Sequence, residues 1–570
     1  MLWLVGPLGD FADLQAALDA AAPGDVLFLD ADFTGSYQVP VDLTIRSISG
    51  PHTLTAAPGA GDPVADGVLL VDGVQLTVIG VTLDGAGQYR VARVAGGGAL
   101  DLQGSTLRGG SSPDDGGCVW VEQGRLTLTS SRAEGCVSGG NGGAVAISSG
   151  ALTAADSEFT GNTAVDGGAI WTAAGGALTD VRYRGNHAEL EGGAVAIVGG
   201  TAQLVANHFC GNSAQVGGAL HATAPIDELA LSVFWANEAD TAGAAQVAYV
   251  TTAWGLDFVA NRGFAGVAAV ASDVEVVPLD VISVDHEVGT SLFDLFHPAF
   301  WLSWGDAVYT GSFNLPLESD PQFLDPTYPD AGCDTRGLQL GLASPARGIG
   351  DGGYSDDLGA YPCGVTDAPG DGVDDDCDGD DLCFADVDGD GFGTSAVVEG
   401  PSPGCDDLGE SPYATDCDEG RADVYPGALD PPQGGDSNCD GYDLCPADAD
   451  GDGHTSDRQR VVVGACPPSL GLDCDDGDPN IHLSAAEPCG VDLDCDGLVV
   501  ECPPDTGAVP GDPTSDTAEN GLVDSGADRG PPTYQVVGVS GGCGCRAATG
   551  SPTGWFAAAL CLSIARRRAR

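Results

Sequence analysis

The chain contains no lysine. All 20 of its basic residues are arginine, set against 84 Asp and Glu for a formal charge of -64. That deficit excludes nucleic acid as a partner, and it excludes direct attraction to an anionic membrane surface. Methionine occurs once and histidine eight times, so soft and imidazole ligands for a metal are scarce. Aromatic residues are 6% of the chain, too few for a thick core. Long apolar runs are missing from both ends. Met1–Val5 is too short for the apolar core of a signal peptide and no basic residue precedes it, so no N-terminal signal peptide is recognisable. Trp555–Ala565 is about half of the ~20 residues a spanning helix needs. What the chain has in excess is glycine (88 residues) and, for its charge, cysteine (19).

The glycines keep a beat. Gly-Gly pairs fall at Gly116-Gly117, Gly142-Gly143, Gly167-Gly168, Gly192-Gly193 and Gly217-Gly218, with Ala242-Gly243 next. A second motif runs in register with them: Phe159-x-x-Asn162, Tyr183-x-x-Asn186, Phe209-x-x-Asn212, Phe234-x-x-Asn237 and Phe258-x-x-Asn261. A fixed period of about 25 residues means stacked supersecondary units. Between the motifs lie three short apolar runs per unit, such as Ala144–Ile147, Ala151–Ala154 and Glu158–Thr160, which read as strands. The predicted fold class is all-β, a right-handed parallel β-helix over 1–363 with regular coils at 116–262. The aromatic residues fill its core, and the asparagines form an axial ladder. The paired motifs resemble the polymorphic outer membrane protein repeats of bacterial surface proteins. The opening stretch through Ala21-Ala22-Pro23-Gly24-Asp25 resembles the N-terminal cap of pectate-lyase-like β-helix proteins. There Asp10 is expected to cap a short helix presenting Phe11, Leu14 and Leu18, with Val26–Leu29 as the first strand of a 1–30 cap.

From Gly364 to Cys502 the composition changes to 36 carboxylates against 3 arginines, with most of the cysteines. Asp386-x-Asp388-x-Asp390-Gly391 recurs as Asp448-x-Asp450-x-Asp452-Gly453. Asp416-Cys417-Asp418 and Asp473-Cys474-Asp475-Asp476 follow, and Asp-Cys-Asp-Gly occurs at 376–379 and 494–497. This stretch, 364–502, resembles the MopE-like metal-binding motif of secreted bacterial proteins. Residues 503–542 read as a disordered acidic tether. Cys543-Gly544-Cys545, the apolar run and Arg566-Arg567-Arg568 (543–570) resemble a MYXO-CTERM sorting signal, which implies attachment to the envelope through the tail. Cysteine richness points to an oxidising compartment, so the expected location is extracellular or on the outer cell surface.

Spacing of two brings Asp386, Asp388 and Asp390 to one side of a turn, and likewise Asp448, Asp450 and Asp452. Glycine follows each set, and Asp416, Asp418, Asp457, Asp473 and Asp475 stand in reserve. Hard oxygen ligands of this kind suit calcium. The family resemblance implies copper. No zinc-type CxxC pair occurs, and the cysteine gaps suit disulfides. Cys118 and Cys136 are candidates to pair, and Cys210 reads as a buried small hydrophobe. Cys489 has no counterpart in the preceding unit, where Gln433 stands, so the pairing pattern is not expected to transfer between units.

On the coils, alternation predicts an outward column of Asp101, Trp120, Ala146, Trp171, Ala196, His221 and Gln246. Trp120, Trp171 and His221 on that face are candidate carbohydrate-binding residues. Glu158, Arg182 and His208 fall on successive coils as weak candidates for catalysis, or as a plain charge ladder. Three roles fit: a surface protein recognising polysaccharide or another cell-surface component, with the acidic module as a calcium-stiffened spacer; a polysaccharide lyase or glycoside hydrolase on the same scaffold; or a structural envelope protein.

Overall fold

A computed structural model describes residues 1–48, 50–57, 67–259 and 261–263, short strands from there to 310, and most of 381–498. Trp301, Trp304, residues 311–368, the 376–379 motif and everything from 499 on lie outside the described residues. Residues 1–502 form one compact unit.

The fold is a parallel β-solenoid. One sheet of 11 strands, one of 8 and one of 19 line its walls, and each strand pairs with its counterpart on the next coil. Val145–Ile147 pairs with Ile170–Thr172, which pairs with Val195–Ile197. The Gly-Gly corner has two separate causes. Gly167 needs a φ of 62°, and a Cβ on Gly168 would stand 2.1 Å from the Gly193 carbonyl oxygen of the next coil. The aromatic residues stack along the axis at 5.5, 4.7, 4.8 and 4.9 Å from Phe159 through Tyr183, Phe209 and Phe234 to Phe258. Beside them Asn162, Asn186, Asn212, Asn237 and Asn261 are all 0% exposed. Asn186 donates both its backbone N–H (2.9 Å) and its Nδ2 (3.0 Å) to Asn212 Oδ1, and Asn212 Nδ2 donates to Asn237 Oδ1 and to the Tyr183 carbonyl. A second ladder, not anticipated, runs along another corner through Ser105, Ser131 and Ser157, each hydroxyl accepting a backbone N–H from the coil before.

Several expectations are corrected at the N-terminal end. The first strand is Leu2–Val5, which pairs in parallel with Asp25–Leu29. The helix is Leu14–Ala20, and its cap is Asp13, whose carboxylate accepts from Ala16 N–H; Asp10 instead accepts from Leu4 N–H. Leu14 and Leu18 are buried in the main core. The acidic region is no detached spacer. Its hairpin, Tyr442–Pro446 with Gln459–Val463, lies on the outer face of these first coils. Leu4, Phe28, Ile48 and Leu444 form a buried cluster with Leu2, Val26, Tyr442 and Val461 around it. Phe28 meets Tyr442 edge-on at 4.9 Å, Arg46 pairs with Asp440 at 2.7 Å, and Asn438 Nδ2 donates to the Ile48 carbonyl.

Disulfides join Cys118–Cys136, Cys383–Cys405, Cys417–Cys439 and Cys445–Cys466. Cys210 is disulfide-bonded, not a free hydrophobe. The Cys383–Cys405 link recurs as Cys445–Cys466, so that part of the pairing does transfer between units.

Candidate metal centres

The two acidic units share their main loop hydrogen bonds. In the first, Asp386 Oδ1 and Oδ2 accept from the Gly389 and Gly391 N–H groups at 2.7 and 3.0 Å. In the second, Asp448 does the same for Gly451 and Gly453 at 2.7 and 3.2 Å. Asp390 accepts from Phe392 N–H and Asp452 from His454 N–H. A second segment then folds back across each loop: Asp416 N–H donates to the Gly393 carbonyl, and Asp473 N–H to the Thr455 carbonyl. Its amides continue in step, since Val424 donates to Arg421 and Ala428 to Tyr425, while Ile481 donates to Asp478 and Ala485 to His482. The first Asp of each loop thus has both oxygens bonded to loop amides, and the last closes an Asx-type turn with one oxygen, leaving its Oδ2 and the middle Asp's Oδ2 buried without a hydrogen-bond partner.

In the first centre Asp386, Asp388 and Asp390 offer oxygens within 4.8 Å of one another, and Asp388, Asp416 and Glu419 do likewise. Both oxygens of Asp388, Asp390 Oδ2, Asp416 Oδ2 and Glu419 Oε1 are buried without a hydrogen-bond partner. Burial, followed by the charges of Asp388, Asp416 and Asp386, raises Asp390 from its ordinary value. Five unpaired anionic oxygens held together are strongly repulsive unless a cation joins them. Asp418, by contrast, is exposed and paired with Arg421 at 2.7 Å, which lowers its pKa. Glu419, whose other oxygen accepts from Val387 N–H at 2.7 Å, takes the place assigned to Asp418. No local spacing singles it out.

The second centre keeps Asp450 Oδ2, Asp452 Oδ2 and Asp473 Oδ2 as unpartnered buried oxygens. Asp475 and Asp457 are exposed. Asp476 stands where Glu419 does, but both its oxygens are taken, by Ala449 N–H (2.6 Å) and Ser456 Oγ (2.8 Å).

The outward column of the coils differs from the expected one in one place. Trp120 lies beside Arg93, in line with Ala146, Trp171, Ala196, His221 and Gln246. Asp101 belongs to another sheet, where it pairs with Thr127. The column therefore carries an arginine. Trp120 is half-buried, with the Arg90 and Arg93 guanidinium carbons 5.1 and 5.3 Å from its ring centre and its indole N–H donating to Ser148 Oγ. Trp171 is half-buried. His221 is 5% exposed and its Nδ1 lies 2.9 Å from Glu191 Oε2.

Glu158, Arg182 and His208 do align on successive coils. Glu158 is held by Arg132 at 3.1 Å and Arg184 at 3.7 Å. Burial, then the charges of Arg182 and Arg184, depresses His208 to about 3, too weak a base to hold a proton near neutrality. Between that value and the ordinary ~6.5 the unfolded chain binds a proton the folded one refuses. This residue's contribution to stability is therefore present above pH ~6.5 and lost as pH falls toward 3. An NMR titration of His208 is expected to show no midpoint between pH 8 and 5; a midpoint near 6.5 contradicts this environment.

Three stretches, 361–381, 416–443 and 473–501, match the family model described as a "putative metal-binding motif" and named for copper-binding MopE. The chain is similar to that family in these segments, which hold Asp416, Glu419, Asp473 and Asp476, while the Asp-x-Asp-x-Asp loops fall between them. No curated protein and no solved structure matches the chain. Fold and motif together define a class: a parallel β-solenoid carrying a disulfide-bonded module with repeated metal-binding motifs.

Proposed function

We propose that the chain acts outside the cytoplasm as a calcium-stabilised β-helix whose long outer face recognises polysaccharide or another cell-surface component. The observation that carries the cation reading is the convergence of Asp388, Asp390, Asp416 and Glu419 oxygens, buried and unpartnered, in the first centre. Only hard oxygens meet there. The nearby thiols, Cys417 and Cys439, are closed in a disulfide, so calcium suits this centre better than copper. Closed disulfides favour an oxidising compartment, and the tail motif favours envelope attachment.

The recognition reading rests on the indoles of Trp120 and Trp171, two coils apart on one column and so roughly 9.6 Å from each other. Of the two, Trp171 is the better sugar platform, because Trp120 already stacks with arginine. A glycan-array screen of the full chain, followed by Trp171→Ala, tests it. The substitution is expected to weaken binding by ~1 kcal/mol or more with little change in melting temperature. A large fall in melting temperature, or unchanged binding, contradicts the reading. An enzyme acting on the same polymer has one observation in its favour. Asp166 and Glu191 pair on successive coils, next to His221, and burial together with the Glu191 charge raises Asp166. Reducing-sugar and unsaturated-product assays on array hits separate the two.

A further inference from the structure

The two centres are not copies. Aligned through their shared hydrogen bonds, Phe392 of the first unit corresponds to His454 of the second, and Tyr425 to His482. The first pair is an ordinary aromatic stack, parallel to 6° with ring centres 5.6 Å apart. The second replaces both rings by imidazoles, stacked at 3.9 Å. They stand against the same carboxylates that make the centre: His454 Nδ1 is 3.3 Å from Asp452 Oδ1, and His482 Nε2 is 3.9 Å from Asp452 Oδ2. Asp452, His454 and His482 present ligand atoms all within 4.8 Å of one another. His454 is 5% exposed, and Asp473, 3% exposed, contributes an unpartnered buried Oδ2.

Two further details fit a nitrogen-ligated ion. Ser484 Oγ lies 3.0 Å from His454 Nε2 and 3.3 Å from His482 Nδ1, the ring nitrogens that face away from Asp452. Ser484 N–H also donates to His482 Nδ1 at 3.3 Å, so in this structure that nitrogen is an acceptor. With Nε2–H donating to Ser484 Oγ, His454 Nδ1 on the Asp452 side carries a free lone pair, the second-shell device that orients a ligating imidazole. His482 Nε2 carries its proton in this arrangement, and ligation there moves that proton to Nδ1, where Ser484 Oγ at 3.3 Å accepts it. Meanwhile the glutamate oxygen of the first centre is lost, because Asp476 is fully hydrogen-bonded. The second unit gives up a hard ligand and gains two nitrogens.

Building on the cation reading above, we infer that the second centre is a separate site for a borderline divalent transition ion, zinc, nickel or cupric. His454, His482 and Asp452 would ligate it, with Asp450 and Asp473 completing the set, while the first centre keeps the hard-cation role. Ligation turns the rings out of their stack, since two parallel in-plane lone pairs do not meet at one point.

The test uses the full chain with its disulfides intact. Zinc titration by calorimetry in 5 mM calcium is expected to show about one micromolar site that calcium does not displace. His454→Phe with His482→Tyr, which installs the first unit's own pair, should weaken zinc on the order of 100-fold or more and leave calcium binding unchanged. The electron paramagnetic resonance spectrum of the wild-type chain with one equivalent of cupric ion should show nitrogen hyperfine structure, a reading that does not depend on the variant folding. Zinc binding unaffected by the double variant, or a cupric spectrum with oxygen ligands alone, overturns the inference. Calcium binding without any zinc binding also overturns it and leaves the first centre standing. Failure of both ions overturns the cation reading itself.

Discussion

Asn212→Ala is expected to destabilise the solenoid by about 3–5 kcal/mol. Asn212 is 0% exposed and occupies the middle of the amide ladder. Its Oδ1 accepts from Asn186 N–H and Nδ2, and its Nδ2 donates to the Tyr183 carbonyl and to Asn237 Oδ1. Alanine leaves those partners buried and unsatisfied, at about 1–3 kcal/mol for each group that water cannot reach. The cavity adds to this, so the loss belongs to the large tail of single-substitution effects. Because each coil touches only its neighbours, the damage should spread along the axis by loss of stacking register. Denaturant unfolding measures it. A change below 1 kcal/mol would mean that the ladder relaxes or admits water, and that the aromatic stack alone sets the register.

Stripping calcium from the acidic module is expected to produce the second large effect. With extracellular-grade affinity, on the order of 0.1–1 mM, 10 mM calcium should stabilise by roughly 1.4–2.7 kcal/mol per occupied site, or about 5–10 °C in the module's melting temperature. Asp388→Asn should abolish most of that increment, because Asp388 brings two of the five unpartnered oxygens of the first centre. The same substitution should also raise stability in chelator, since it removes one charge from a repulsive cluster. That change of sign between the two conditions separates a cation ligand from a purely structural aspartate, which would lose stability in both.

The solenoid was legible because each coil repeats one residue for one job: a Gly with φ > 0, a Gly too close to the next coil for a Cβ, an aromatic residue, an Asn. The less regular early coils broke that reading, and Asp101 was placed in the column that Arg93 occupies. The docking of the acidic hairpin has a sequence signal in the strands it covers. Val26–Leu29 is apolar at every position, as is Leu2–Val5, where a coil strand with one wet face would alternate. Those runs need cover on both sides, and Tyr442, Leu444 and Val461 supply it on the outer one. In the metal centres the Asp-x-Asp-x-Asp spacing was visible because the ligands are local. Glu419 was not, being one carboxylate among 36 in that region and reaching the loop only through the backbone fold. His454 and His482 become conspicuous only once both units are aligned. The loops recur 62 residues apart and the return segments 57, so no single offset lays Tyr425 on His482 and Phe392 on His454 together.

Hydrogen–deuterium exchange of the full chain, disulfides intact, in 10 mM calcium and in chelator, tests the central claim most directly. The account predicts that amides tied to the first centre slow down in calcium, above all Val387, Gly389 and Gly391, whose acceptors are Glu419 and Asp386. The coil amides from 145 to 245 should exchange identically in both conditions. Equal exchange at Val387, Gly389 and Gly391 with and without calcium would contradict it.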